Sequence, residues 1–362
     1  MVVVSYGIDI IKTTYEALSA SDLSTYLEKD MSVSIKPNLV VPRPAYDGAT
    51  THPEVVEGIV LFLRNFGISD IKIIESSWIG DSTRQSFDVC GYVELSQKLG
   101  IPLIDLKSDK KTMLTYGKTN VAICNEALKT DFLINAPVLK AHSQTYFTCC
   151  LKNLKGCIPD SEKRRFHTLD LHQQIAILNM LLKTGYCVVD GICGDLTSEA
   201  GGQPVESNRI IVGRDPLIVD SYCAELIGCK PDDIGYLYEA KALGFGEYFS
   251  SSTKLTELNV DNKPTQTSPA SRRTTDQYRQ HISEDSACSA CFSSLIYALS
   301  KMGKYRSNEM IHIGQGYKGV NKKGIGIGNC TKGFEHCIQG CPPKATEIID
   351  TLNTLFPIEA GC

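Results

Sequence analysis

The sequence predicts an α/β body of mostly parallel sheets with helices on both faces, followed by a small cysteine-rich C-terminal unit. Two observations carry this expectation. Strand-like and helix-like segments alternate through roughly the first 200 residues, the rhythm of β-α-β units. Past a polar stretch, Cys288, Cys291, Cys330, Cys337 and Cys341 gather in the last part of the 362-residue chain.

The first unit begins with MSVSIKPNLV, a β-branched run that stops at Pro37 and Asn38. THPEVVEGIVLFLRNFG follows as a helix. Thr51 suits its N-cap, Pro53 its first turn and Gly67 its end, while Glu54 lies where the helix dipole favours an acid. DIKIIES then alternates like a buried strand, and VELSQKLG (helix) and IPLIDL (strand) repeat the pattern. TDFLINAPVLK reads as a strand leading to a loop, LDLHQQIAILNMLLK as a helix and YCVVDGI as a strand. In a parallel sheet, sites belong after strand carboxyl ends, which singles out KPNLV, VLKAHSQT and VDGICGD. The body is expected over 1–250, with room for two lobes divided near 130–190. Residues 251–287, rich in Ser, Thr, Asn, Asp and Gln, read as a linker or surface excursion. Residues 288–362 form the last unit: the helical pattern FSSLIYALSKMG, a strand EMIHIGQG, the glycine stretch GIGIGN and a final helix KATEIIDTLNTLF. GIGIGN lacks the spacing and the following apolar helix of a dinucleotide loop, so it reads as a glycine strand or turn.

Cys288 and Cys291, spaced C-x-x-C before a helix, can turn two thiolates toward one centre, and helix N-H groups there stabilise thiolate charge. NCTKGFEHCIQGCPPK offers three more cysteines. Cys330 and Cys341 are the preferred partners because the GCPP ending resembles a recurrent cluster ligand, with Cys337 as the alternative fourth. Four such thiolates suit an iron-sulfur cluster, most simply [4Fe-4S]. A tetrahedral zinc ion would use the same ligands.

A second constellation lies between residues 140 and 167. Lys140, His142, Lys152, Asn153, Lys155 and His167, joined by Lys36, Asn38, Thr51 and His52, offer point charges, hydrogen bonds and proton-transfer groups to a carboxylate or phosphate. His142, Lys152 and Asp190 are the candidate catalytic residues. Asp190 ends its strand as a helix cap or a ligand contact. Asp195 and Glu199 lie in a glycine-containing loop that allows close approach of a ligand. Lys163, Arg164 and Arg165 read as a solvated face, His172 as structural, and Cys149, Cys150 and Cys157 as buried filler rather than a second metal or redox group.

A formal net charge of -4 gives no reason to expect nucleic acid. No apolar run nears the 18 or so residues of a membrane span, and MVVVSYGIDI has no basic leader or cleavage site. The expectation is a soluble cytoplasmic protein whose 15 cysteines are thiols or metal ligands, a usage that also fits an anaerobe.

KPNLV, TTHPEVVEGIV, INAPVLKAHSQTYFTCCLKNLKG, VVDGI and GNCTKGFEHCIQGCPPKATEI, in this order between about residues 30 and 350, resemble the domain of unknown function 362 family of iron-sulfur centre proteins. That resemblance implies the cluster and the two-part layout. DFLINAPVLKAHSQTYFTCCLKNLKGCIP is also similar to a stretch of nickel-pincer lactate racemase, which implies that His142 and Lys152 or Lys155 hold an anionic cofactor or substrate. Leu151 and Asn153 flank Lys152 here, where that pattern has a double glycine before its lysine.

The resulting expectation is an iron-sulfur oxidoreductase that acts on an anionic organic substrate or cofactor by one-electron chemistry. It would exchange electrons with a redox partner such as ferredoxin. The alternatives are a non-catalytic electron carrier or assembly protein, and a zinc-stabilised binding protein.

Overall fold

The computed structural model describes residues 1–264, 277–302, 305 and 307–356. The chain divides into two compact units, one of residues 1–163 and 171–270, the other of 164–170 and 271–362.

The body is built on an eight-stranded sheet. Its strands are β1 (Val2–Tyr6), β2 (Val33–Pro37), β3 (Ile71–Glu75), β4 (Leu103–Asp105), β7 (Phe132–Ala136), β10 (Tyr186–Asp195), β11 (Pro204–Gly213) and β12 (Leu255–Leu258). They lie in the order β12-β1-β11-β10-β7-β2-β3-β4. β4, β3, β2, β7 and β10 run parallel, β11 runs against both of its neighbours, and β12 pairs parallel with β1. Two hairpins complete the unit, β5 (Lys111–Tyr116) with β6 (Thr119–Cys124) and β8 (Lys140–His142) with β9 (Tyr146–Thr148).

Neighbouring residues of one strand enter opposite cores, because strand side chains alternate between faces. Val3, Val188, Ile210 and Val212 pack with the helices Ile10–Ser19 and Pro53–Phe66. Val2, Val4, Cys187, Val189 and Ile211 pack with Leu171–Leu181, Pro216–Leu226 and Gly235–Ala242. Helices therefore cover both faces, as the pattern predicted.

The helix Pro53–Phe66 begins and ends near its expected bounds, closing on Gly67 at φ 108. Its N-cap is His52 rather than Thr51. Thr51 is spent elsewhere: its Oγ1 donates to the Ala136 carbonyl (2.8 Å) and accepts from Asn38 N (2.9 Å), tying the exits of β2 and β7 together.

The second unit has a four-stranded parallel sheet in the order β13-β14-β15-β16, formed by β13 (Ile282–Glu284), β14 (Ile311–Ile313), β15 (Lys322–Ile327) and β16 (Phe334–Ile338). Its core joins Phe292, Leu295 and Leu299 of the helix Ser289–Met302 to Ile311, Ile313, Ile325, Ile327 and Ile338, and to Ile348 and Leu352 of the helix Ala345–Leu355. The polar stretch 251–287 is thus not uniform: it contributes β12 to the body sheet and β13 to this one, and 265–276 lies outside the described residues. Among the described residues no helix is long and apolar enough to cross a membrane.

Candidate functional site

The body's polar residues collect at the carboxyl ends of its parallel strands, where the helix-strand alternation exposes backbone groups. Lys36 ends β2 fully buried, and its Nζ contacts Glu75 Oε2 on β3 (2.8 Å), Asn153 Oδ1 (3.1 Å) and the Pro37 carbonyl (2.8 Å). Asn153 Nδ2 in turn donates to Asn135 Oδ1 on β7 (2.8 Å), and Leu39 N donates to Glu75 Oε2 (2.9 Å). Gly156 packs directly on this pair, since a Cβ there would overlap Glu75 Oε1 and Lys36 Nζ. Glu75 had no part in the expected site; its only sequence signal is an acid closing a buried strand.

A second buried pair forms across β10. Asp190 Oδ2 accepts from His52 N (2.7 Å) and lies 2.8 Å from His52 Nδ1, while Oδ1 accepts from Ile192 N (3.0 Å). Burial works against a charged ring, but the Asp190 carboxylate and its hydrogen bond prevail and raise His52 to about 10. Asp190 is therefore committed to fixing the start of the Pro53–Phe66 helix.

His142 meets a different carboxylate. Gln144 N and Thr145 N both donate to its Nδ1 (3.1 and 3.3 Å), so Nδ1 acts as an acceptor and the ring is neutral, with its proton on Nε2. Burial drives the ring the same way, to about 3. Nε2 stands 2.9 Å from Glu199 Oε2, and the buried Glu199 Oε1 has no hydrogen-bond partner. Burial alone would raise Glu199; His142, the Lys152 charge and the hydrogen bond from Ser143 N overcome this and hold it at about 2. Lys140 is pinned between the Ala49 and Glu199 carbonyls (2.5 and 2.7 Å), and burial lowers it to about 7. Lys152 donates to Thr148 Oγ1 (3.1 Å) and is likewise lowered to about 7 by burial.

The expected anion-binding group is thus divided. Lys36, Asn38, His52, Lys140, Asn153 and His167 are buried, whereas Lys152 and Lys155 reach the surface in part. His167 lies in the second unit, with Nε2 3.4 Å from Ser289 Oγ at the start of the cysteine helix. Lys163 overturns the reading of a solvated face. It is 6% exposed and contacts the Ser76 and Ser77 carbonyls (3.1 and 2.8 Å), Ser76 Oγ (2.5 Å) and Asp160 (3.2 Å).

In the second unit, Cys288 immediately precedes the helix Ser289–Met302 and Cys291 lies in its first turn. Cys330 sits in the turn after β15 and Cys341 follows β16. Asn329 N donates to the Gly340 carbonyl (2.9 Å) and Gly340 N to Asn329 Oδ1 (3.0 Å), which binds the two cysteine loops together. Gly328, at φ 88, leaves room where a Cβ would come 3.5 Å from Cys291 Sγ. Burial, and then the charges of Cys288, Cys341 and Cys330, raise the Cys291 thiol well above its usual range. Cys330 is raised by burial, and Cys341 adds to this while Lys318 and Arg164 oppose it. Cys337 points to other partners, the Gly328 carbonyl (3.7 Å) and Thr331 Oγ1 (3.6 Å). Cys291 resists ionisation beside the charges of Cys288, Cys341 and Cys330, a cost that a bound cation would remove, so this donor set fits a metal or metal cluster.

The body also holds a group able to bind a metal, Cys149, Cys150 and Asp220, whose ligand atoms lie within 4.8 Å of one another. Asp220 was not among the expected site residues, because it stands on a helix far along the chain from the two cysteines.

A thylakoid-associated protein of Synechocystis sp. is 24% identical over 271 residues, covering 70% of this chain and 81% of its own. The lactate racemase apoprotein of Thermoanaerobacterium thermosaccharolyticum aligns with a TM-score of 0.43 and 11% identity, over 62% of this chain and 56% of that one. The model of the domain of unknown function DUF362 matches residues 33–225, more than half of the sequence, and the chain belongs to this family.

Proposed function

We propose that the second unit holds a [4Fe-4S] cluster on Cys288, Cys291, Cys330 and Cys341, and that the chain is an oxidoreductase acting on a small anionic organic substrate or cofactor. The observation that carries this reading is the placement of the cysteines: Cys288 and Cys291 open one helix, the loops of Cys330 and Cys341 are tied through Asn329 and Gly340, Gly328 brings that turn against Cys291 Sγ, and Cys337 turns to Gly328 and Thr331. A tetrahedral zinc ion would use the same four thiolates, and acid-labile sulfide separates the two.

A bound cluster supplies one-electron transfer. In the body, Lys152 and Lys155 offer charge to the anion, and the neutral His142 presents an Nε2 proton. Glu199 Oε1 is a buried acceptor awaiting a donor, which suits an anion that also bears a hydroxyl or amine. Electrons would come from a reducing-compartment partner such as a ferredoxin. Anaerobic protein reduced with dithionite should bleach in the visible and give an EPR signal, and saturation with a small hydroxy acid should protect the Lys152 amine from acylation. Redox activity without protection would leave an electron carrier; neither response would refute the reading.

A further inference from the structure

A separate group of soft ligands lies in the body, unused by the chemistry above. Cys149 and Cys150 are adjacent in the chain, with sulfurs 3.9 Å apart. Asp220 and Cys223 stand three residues apart on the helix Pro216–Leu226, a spacing that puts both on one face. Cys149, Cys150 and Asp220 offer ligand atoms that lie within 4.8 Å of one another. Cys187 of β10 borders Cys150. All five are fully buried, among apolar neighbours that include Leu151, Ile175, Val189 and Leu217.

Asp220 makes the group more than thiol filler. Its Oδ1 accepts from Cys150 N (2.7 Å) and its Oδ2 from Leu151 N (2.9 Å), which positions the carboxylate beside both sulfurs. Among the described residues no cationic side chain pairs with it. A carboxylate taken into an apolar interior needs a cation or a proton. The 3.9 Å sulfur separation is close to the roughly 3.8 Å that a tetrahedral zinc ion sets between two thiolates.

We propose that Cys149, Cys150 and Asp220 form a buried structural site for a thiophilic divalent cation of the zinc type, with Cys187 and Cys223 outside this ligand set. Full burial keeps a substrate from the ion, so it contributes folding rather than catalysis. The site lacks a route from solvent in the folded body, so loading accompanies folding and displaces the thiol protons.

The test is elemental analysis of the full chain expressed with zinc and purified anaerobically. The wild type should carry one equivalent of zinc beyond any iron. The pair Cys149→Ser and Cys150→Ser should lose that equivalent with iron and sulfide unchanged, and Cys187→Ala should keep it. Should the double variant not fold, the wild type expressed with cobalt decides: intense thiolate-to-cobalt absorption, retained in a Cys288→Ser variant, is expected. Absence of that absorption, no zinc in the wild type, or full zinc in the folded double variant would overturn the site and leave Asp220 protonated.

Discussion

The two units place their chemistry alike and equip it differently. In each, the notable residues stand at the carboxyl ends of parallel strands: Lys36, Glu75 and Asn135 in the body, Cys330 and Cys341 after β15 and β16 in the second unit. The body's groups largely answer one another, cation to carboxylate and amide to carbonyl. In the second unit like groups crowd together, and the charges of Cys288, Cys341 and Cys330 all work against ionisation of Cys291. A network that closes on itself rigidifies a fold, whereas a set of mutually opposed donors calls for something else to bind.

The largest effects are expected at the cysteines. Replacing Cys288 or Cys341 by Ser should abolish the brown chromophore of anaerobic protein, while Cys337→Ser should keep it; the reverse pattern, read by visible absorption, would exchange the ligand assignment. In the body the largest effect should come from the Lys36–Glu75 pair. Lys36→Met leaves Glu75 buried and unpaired and should cost about 3–5 kcal/mol in denaturant unfolding, with Lys36→Met combined with Glu75→Leu recovering much of it.

The His52–Asp190 pair should appear as a pH dependence. His52 is raised from its ordinary 6.5 to about 10 in the folded chain, so its contribution is fully present below pH 6.5 and fades as pH rises through about 10. Thermal melts over that window should fall in the wild type and flatten in Asp190→Asn. The smallest effect on folding belongs to Lys152, which reaches the surface. Lys152→Met should shift stability by no more than about 1 kcal/mol yet weaken binding of a small hydroxy acid, measured by calorimetry, about tenfold.

Much of the fold was legible because periodicity reports burial directly. The helix Pro53–Phe66 and the strands around Ile73, Ile134 and Val188 follow from spacing alone. β11 escaped notice, and it is the strand that runs against its neighbours, outside the β-α-β rhythm. β12 was hidden in a polar stretch because an edge strand needs few large apolar residues.

The candidate cysteines stand out in the sequence for a local reason, their short spacing within two segments. Lys163 was not. KRR reads as a solvated run, and only tertiary packing shows that its first member turns inward to the Ser76 and Ser77 carbonyls. Asp220 lies 70 residues from Cys150, a separation that no motif bridges. Asp190 and Glu199 were both visible as acids in loops after β-branched runs, but which one faces His142 depends on the turn that seats the ring.

Iron and acid-labile sulfide analysis of the full chain, purified anaerobically, decides whether Cys288, Cys291, Cys330 and Cys341 gather an inorganic core. Iron and sulfide in equal amounts, about four of each per chain, are expected. Stoichiometric zinc at those cysteines with no acid-labile sulfide would contradict it.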